Sequence, residues 1–238
     1  MRRVRLPDGG DEVVYRLLRH PRSRSVRLTV TAEGVRVSAP PRLALREIER
    51  VMTANAPWLR RQLERFRPAP HEELRDGSLL PLLGGEVELG VRRGERPRWS
   101  FRAGDARLAV VAAGEEQLAA AVESWYRDAA RRHLGSLVER WAPPLGVRPG
   151  RLTIRDGRSR WGSCSAGGGI SLSWRLVMAP PEVGQYVVVH ELAHLREMNH
   201  SRAFWQIVAG ALPGYDAQRR WLRTHGDELS RRPPRRRA

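Results

Sequence analysis

Three of the seven histidines in this 238-residue chain fall in one short stretch. His190 and His194 flank Glu191-Leu192-Ala193, and His200 follows six residues after His194. On an α-helix, residues four apart lie about 40° apart around the axis and roughly 6 Å along it. Both imidazoles then leave one face and can grip one metal ion, while Glu191 can reach a water beside that ion. The chemistry such a set supports is hydrolysis by metal-activated water, with zinc the ion that suits neutral imidazoles.

The flanks read as a helix. Pro180-Pro181-Glu182 is a start signal, with proline in the first turn and an acid near the positive end of the dipole. Val188, Leu192 and Leu195 recur at core-facing spacing, which leaves the histidines for another face. In a continuing helix His200 would point about 120° away from His194 and lie roughly 9 Å further along, out of reach of the same ion. The chain must therefore turn if His200 is the third ligand, and Asn199 suits a left-handed helix end. Asp216, Asp227 and Glu228 are rival third ligands; His200 is favoured because the local geometry can close. The histidine spacing matches that of the metzincins, but Glu197 stands where those enzymes carry a turn glycine, which argues against ordinary membership.

Several elements must hold this helix in place. Leu118, Val122, Trp125, Ala129, Leu137 and Trp141 trace one face of a long helix ending at Pro143-Pro144. Two strands are expected near 152–154 and 170–174, with Trp161-Gly162-Ser163-Cys164 between them. Further helices are expected near 203–208 and from about 215 to 229. Upstream, Val26, Leu28 and Val30 alternate before Gly34, Val35 and Val37, predicting a strand pair. Leu45, Ile48 and Met52 predict a helix, and Asn55-Ala56-Pro57 starts another that runs to about Phe66. Pro68 to Pro70 is a break, and short strands are expected near 87–89, 99–101 and 108–111. No internal repeat is evident. The expected organisation is an amino-terminal β-rich platform with two helices over 1–112, a catalytic domain over 113–230 and a basic disordered tail over 231–238.

The run from His190 to Trp205 closely resembles the YgjP-like family of predicted zinc metallopeptidases. Arg160-Trp161-Gly162-Ser163-Cys164-Ser165 and Ile170-Ser171-Leu172-Ser173-Trp174 form a second block of likeness. Arg22-Ser23-Arg24-Ser25 and Val37-Ser38-Ala39-Pro40 carry a looser one, and the resemblance extends to about Trp221. It implies an α+β fold with a zincin-like metallopeptidase core of helices and a small mixed sheet. It also implies His190, His194 and His200 as ligands of one zinc ion and Glu191 as catalytic acid/base. Trp161, Gly162 and Ser163 are expected at the substrate cleft, where glycine permits close approach of a substrate backbone. Tyr215 joins them as a candidate oxyanion donor, together with the arginines. Ser201, Phe204 and Trp205 are expected to anchor the turn after the motif.

Composition bounds the partners. The formal charge of +17 comes with 43 basic residues, every one an arginine. Exclusion of lysine points to genomic bias as much as to a basic groove, yet a guanidinium binds phosphate bidentately whatever its origin. Nucleic acid or a nucleotide is thus a possible partner beside a peptide or protein substrate. A metal-dependent nucleotide (pyro)phosphohydrolase, or a protease associated with nucleic acid, is the alternative function. A nucleic-acid-binding module with structural zinc is disfavoured, because such sites are usually closed by four protein ligands. No apolar run is long enough to span a membrane, and the start lacks the apolar core of a secretory signal. The one cysteine, Cys164, permits no internal disulfide, fits the cytoplasm, and is expected to be structural rather than nucleophilic.

Overall fold

The computed structural model describes residues 1–7, 12–21, 23–31, 34–66, 73–102, 104–157 and 160–231. The expected break at Pro68–Pro70, Arg22, and the tail beyond Arg231 lie outside them. The chain divides into two compact units, Met1–Pro70 and His71–Ala238.

In the first unit, β1 (Arg2–Arg5), β2 (Glu12–Arg19), β3 (Arg27–Thr31) and β4 (Gly34–Ala39) form a sheet in the order β1-β2-β4-β3. The outer pairs are antiparallel, and the central pair β2–β4 is parallel, with Tyr15 opposite Val35. Alternation puts Val13, Tyr15, Val35 and Val37 on one face. They share a core with Ile48 and Met52 of α1 (Leu45–Ala54) and with Ala56 and Leu59 of α2 (Ala56–Phe66). Strand β1 has no hydrophobic run to announce it, since only Val4 among Arg2, Arg3 and Arg5 is buried.

The second unit opens with the same wiring. β5 (Leu79–Leu82), β6 (Gly85–Arg93), β7 (Arg98–Ser100) and β8 (Arg107–Ala112) run in the order β5-β6-β8-β7, again with a parallel central pair and antiparallel outer pairs. This is an internal repeat of topology that the sequence does not display, because strand pairing depends on alternation and turns rather than on residue identity. Leu89, Leu108 and Val110 share one core with Val122, Trp125 and Tyr126 of α3 (Glu115–Trp141). The boundary therefore falls near residue 70 rather than at 112: the second sheet packs with the helix that follows it.

The 27 residues of α3 span about 40 Å. After it, β9 (Leu152–Arg155), β10 (Gly162–Cys164) and β11 (Ile170–Ser173) form a three-stranded sheet in the order β10-β11-β9. β9 and β11 are parallel, and β10 is antiparallel to β11. A short 3-10 helix, Trp174–Met178, leads into α4 (Pro181–Ala193), α5 (Arg202–Ala211) and α6 (Asp216–Arg231). Arg175 in the 3-10 turn is 1 % exposed, donates to Asp156 at 2.8 Å, and lies over Trp174 with its guanidinium carbon 4.2 Å from the ring centroid. A buried guanidinium needs such a partner, and this one ties the segment after β9 to the helical layer. The architecture is α+β. No helix among the described residues is long and apolar enough to cross a membrane.

Candidate metal centre

Helix α4 begins with proline in its first turn and Glu182 near its positive end. The sequence predicts one core-facing stripe, but Val183, Tyr186, Val187, Val188, Val189, Glu191, Leu192 and Ala193 are all buried. The helix is enclosed on nearly every side by α3, α5, α6 and the three-stranded sheet. Enclosure of this kind is what takes a carboxylate and imidazoles away from water. The helix stops at Ala193, with His194 as its cap residue, so the turn comes earlier than Asn199. Leu195 N–H donates to Leu192, and both Arg196 and Glu197 N–H donate to Ala193, a tight reversal built without positive φ. Leu83 is the one described non-glycine residue with positive φ, so Asn199 does not take the expected left-handed form. A glycine at position 197 is unnecessary for the same reason.

The reversal brings His200 back beside the helix. His200 Nε2 and His190 Nε2 are 3.0 Å apart. The three imidazoles each offer a nitrogen within 4.8 Å of the others, and no carboxylate among the described residues joins them. Asp216, Asp227 and Glu228 are thus not in the cluster. Glu197 contributes through its backbone: its carbonyl accepts from His194 Nδ1 at 3.1 Å. That bond puts the proton on Nδ1 and frees Nε2 as a donor atom. Ser201 Oγ accepts from Phe204 N–H at 3.3 Å and starts α5 immediately after His200. Phe204, fully buried, lies 4.9, 4.5 and 4.8 Å from the rings of His190, His194 and His200. It is the apolar floor under the cluster.

The donor set fits a divalent cation. Two nitrogens about 2.0 Å from one tetrahedral ion stand roughly 3.3 Å apart, close to the separation of His190 and His200. Burial, then the charges of His194, His200 and Arg219, hold the His190 pKa down to about 3. Burial, His194 and Arg219 also lower that of His200. Neutral rings are the form that binds metal. Among the described residues, buried His190 Nδ1 has no hydrogen-bond partner, so this ring lacks there the orienting bond that His194 has.

Glu191 is 5 % exposed, and burial pushes its carboxyl up to about 7, with the Arg160 guanidinium opposing that rise. A Cβ built on Gly162 would stand 2.5 Å from Glu191 Oε1. Gly162 therefore leaves room for this carboxylate, in contrast to the expected approach of a substrate backbone. Trp161 is half-buried and lies against Gly226 of α6, Ser163 is exposed on β10, and Tyr215 stacks on Trp205 at 5.3 Å and on Tyr186 at 6.1 Å. Trp205 in turn stacks on the His200 ring at 5.7 Å. Burial, then the charge of Glu191, raises the Cys164 thiol, which makes it a poor nucleophile. Two neighbours have roles that the sequence reading does not assign. Arg219 lies with its guanidinium carbon 4.6 Å from the Trp205 ring centroid, and Arg160 acts on Glu191. Both are ordinary members of an arginine-rich chain; their i,i+4 and motif-adjacent positions were the available signals.

Two solved structures are similar to parts of the chain. The metallopeptidase zymogen of Pyrococcus abyssi abylysin is 28 % identical over 38 % of this chain and 93 % of its own, with a TM-score of 0.35. The metallopeptidase zymogen of Methanocaldococcus jannaschii jannalysin is 17 % identical over 40 % of this chain and 96 % of its own, also with a TM-score of 0.35. No curated protein matches the chain significantly. The model of the YgjP-like metallopeptidase domain matches residues 24–225, a span that takes in every histidine of the cluster, Glu191 and the β10 segment, and the chain belongs to the YgjP-like metallopeptidase family.

Proposed function

We propose that this metallopeptidase-type hydrolase is a zinc peptidase in which His190, His194 and His200 hold one ion and Glu191 is the acid/base. The observation that carries the reading is the meeting of three imidazoles, brought together by a buried helix and the reversal after it, with ligand atoms within 4.8 Å of one another, and next to His190 a carboxyl whose pKa is raised to about 7. Zinc, when bound, supplies Lewis acidity, lowering the pKa of water toward about 7 and polarising a neighbouring carbonyl. Glu191 takes the proton from the attacking water and passes it to the leaving amine. Near-neutral pKa suits both halves of that task. Gly162 keeps the space in which the carboxylate works. Arg219 and Tyr215 are the candidates to donate to the developing oxyanion.

A peptide fits the cleft by its backbone. β10 ends its sheet and pairs with β11 on one side only among the described residues, so an extended peptide can add along its free edge. Trp161 and Ser163 then flank the bound strand. The single cysteine supports a reducing, cytoplasmic setting.

Elemental analysis and a peptide library test the reading together. The purified protein is expected to hold one zinc ion per chain and to cleave some library members. His190→Ala and His194→Ala are expected to abolish metal retention, and His200→Ala to weaken it severely. Asp216→Ala is expected to leave it intact. Full occupancy after His200→Ala would move the third ligand elsewhere.

A further inference from the structure

The two four-stranded sheets differ in charge where they agree in wiring. Residues 1–70 carry 16 arginines against 7 acidic residues; residues 71–238 carry 27 against 19, with five of those 27 beyond residue 230. A genomic preference for arginine acts on the whole chain. It accounts for the missing lysine, but not for acids that balance arginine in one unit and leave it in excess in the other.

Much of the excess stands on one face of the first sheet. Tyr15, Val35 and Val37 share the core with α1 and α2, so alternation turns Arg16, Leu18, Arg36 and Ser38 the other way. β1 adds Arg3 opposite Val14, and β3 adds Arg27 opposite Ser38 and Thr29 opposite Arg36. On the central strand pair Arg16 is directly opposite Arg36, their backbones roughly 5 Å apart. Like charges so placed repel and destabilise a sheet. The second sheet avoids this: its central pair sets Glu88 opposite Arg107, whose guanidinium lies 3.5 Å from Glu88 and 3.0 Å from Asp76. Glu12 is the one acid within β1 to β4, and Arg3 holds it at 3.0 Å. Arg16, Arg27 and Arg36 are exposed and have no ion-pair partner among the described residues.

We infer that this face is a binding surface for single-stranded nucleic acid, gripped through its phosphates. Guanidiniums bind phosphate oxygens bidentately, and strands hold Arg16 and Arg36 close enough to share one phosphate or clamp two in succession. An anion seated there turns their repulsion into attraction. Apolar groups lie among the charges: Val14 is 45 % exposed and Leu18 37 %. A single strand presents phosphates and uncovered bases in alternation, which suits such a mixed face. A duplex keeps its bases stacked inside and would set phosphates against Val14 and Leu18. A lipid surface would meet the longer arginines first and leave both apolar side chains outside its acyl layer. The surface is independent of the peptidase reading, because it involves the first sheet alone.

Anisotropy of a labelled, mixed-sequence single strand of about 16 nucleotides measures binding by the full chain. Arg16→Gln/Arg27→Gln/Arg36→Gln is expected to weaken binding about 10-fold or more at moderate salt. It is also expected to flatten the log–log salt dependence by about 2. Arg92→Gln/Arg93→Gln/Arg98→Gln removes the same charge from exposed positions of the second sheet and is expected to change affinity by less than about 2-fold. Equal losses in the two triple variants would reduce the effect to net charge and overturn the inference. Arg36→Glu gives the first sheet the kind of opposite-charge pair that the second has. It is expected to melt no lower than wild type and still to lose about 10-fold or more in affinity, which separates lost recognition from lost fold. Wild-type affinity in a folded Arg36→Glu protein would also overturn the inference. A duplex of equal length and vesicles of phosphatidylcholine with phosphatidylserine are titrated alongside. Tighter binding of the duplex than of the single strand, or vesicle binding lost in the first triple variant while single-strand binding is kept, would assign the face to another partner and refute this one.

Discussion

The sheets β1-β2-β4-β3 and β5-β6-β8-β7 share their strand order and every strand sense, yet only one belongs to the unit that carries chemistry. Each is followed by helix. In the first unit two short helices, α1 and α2, complete a small core. In the second, α3 is long enough to lie against its sheet and also to reach α4, with Leu134 within 3.4 Å of a Cβ built on Gly184. Both units contain a carboxylate tied to a half-buried or buried group. Tyr15 in the first donates to Glu49 at 3.3 Å, and burial, then the Glu49 charge, raises its pKa. That pair satisfies a phenol in a core. In the second unit Glu191 has no salt bridge among the described residues, feels the charge of Arg160, and sits enclosed and adjacent to imidazoles. The shared topology supplies a surface to pack on; the helix packed there decides whether ionisable groups are merely satisfied or held ready for a reaction.

The sharpest contrast between the units is catalytic. Glu191→Gln keeps size and hydrogen bonding but cannot accept a proton at neutral pH, so turnover is expected to fall about 100- to 10,000-fold with zinc retained. Glu49→Gln is expected to leave turnover unchanged. Near-wild-type rates in Glu191→Gln, measured on any peptide the wild type cleaves, would remove Glu191 from the mechanism even if every ligand is right.

Stability separates them next. Ile48→Ala and Leu134→Ala each truncate a fully buried side chain and are expected to cost about 2–5 kcal/mol. The consequences differ. Leu134 supports α4, so its loss is expected to weaken metal retention as well; Ile48 belongs to the other core, and its loss is expected to leave metal content unchanged below the melting transition. Parallel denaturation and elemental analysis would blur the distinction if Ile48→Ala also lost metal.

What could be read without coordinates follows the same division. The long helix from Leu118 to Trp141 and the proline-started α4 were legible because periodicity and start signals are local. The His190, His194 and His200 cluster was legible as a proposal because its spacing fits one helix and one turn. The turn itself differs from the sequence expectation: Asn199 suits a helix end, whereas backbone bonds from Leu195, Arg196 and Glu197 close the helix at its cap His194, five residues earlier. Local propensity cannot anticipate where tertiary enclosure stops a helix. The role of Gly162 was hidden for a related reason, since its neighbour Glu191 is 29 residues away in sequence and meets it only across α4 and β10. Strand β1 is hidden because arginines occupy its exposed positions, and the repeated wiring is hidden because strand pairing follows alternation and turns rather than residue identity.

The ionisation of Glu191 gives a smaller, pH-dependent effect in protein stripped of metal. Its folded pKa of about 7 lies above the ordinary carboxyl value of 4.5, so its contribution to stability is present below about 4.5 and is lost as pH rises through 7. His190 works oppositely: with a folded pKa of about 3 against 6.5, its contribution is present above 6.5 and is lost as pH falls toward 3. Glu191→Gln removes only the first of these. At pH 8 the metal-free variant is therefore expected to be more stable than metal-free wild type by up to about 3 kcal/mol, a difference that vanishes near pH 4. Equal melting of the two proteins at pH 8 would show that Glu191 is better solvated than its burial implies. Glu49→Gln provides the first-unit control and is expected to show no such crossover.

The smallest contrast lies in how helices are started. Ser201 caps α5 with its hydroxyl, whereas α1 begins at Ala44, which has no side-chain acceptor and relies on Glu47 accepting from its own N–H at 3.2 Å. Ser201→Ala is expected to cost about 1 kcal/mol. Because Ser201 directly follows His200, the same change loosens a residue of the cluster, and zinc affinity is expected to drop a few-fold on top of the loss in stability. Ala44→Ser completes the reciprocal box with Glu47 and is expected to gain about 0.5–1 kcal/mol, with zinc affinity unchanged. Competition with a chelator, run beside thermal melts, measures both quantities on both proteins. If Ser201→Ala lowers stability but leaves zinc affinity at the wild-type value, His200 is held by Phe204 and Trp205 rather than by the cap. The contribution of α5 to the site is then its apolar floor alone.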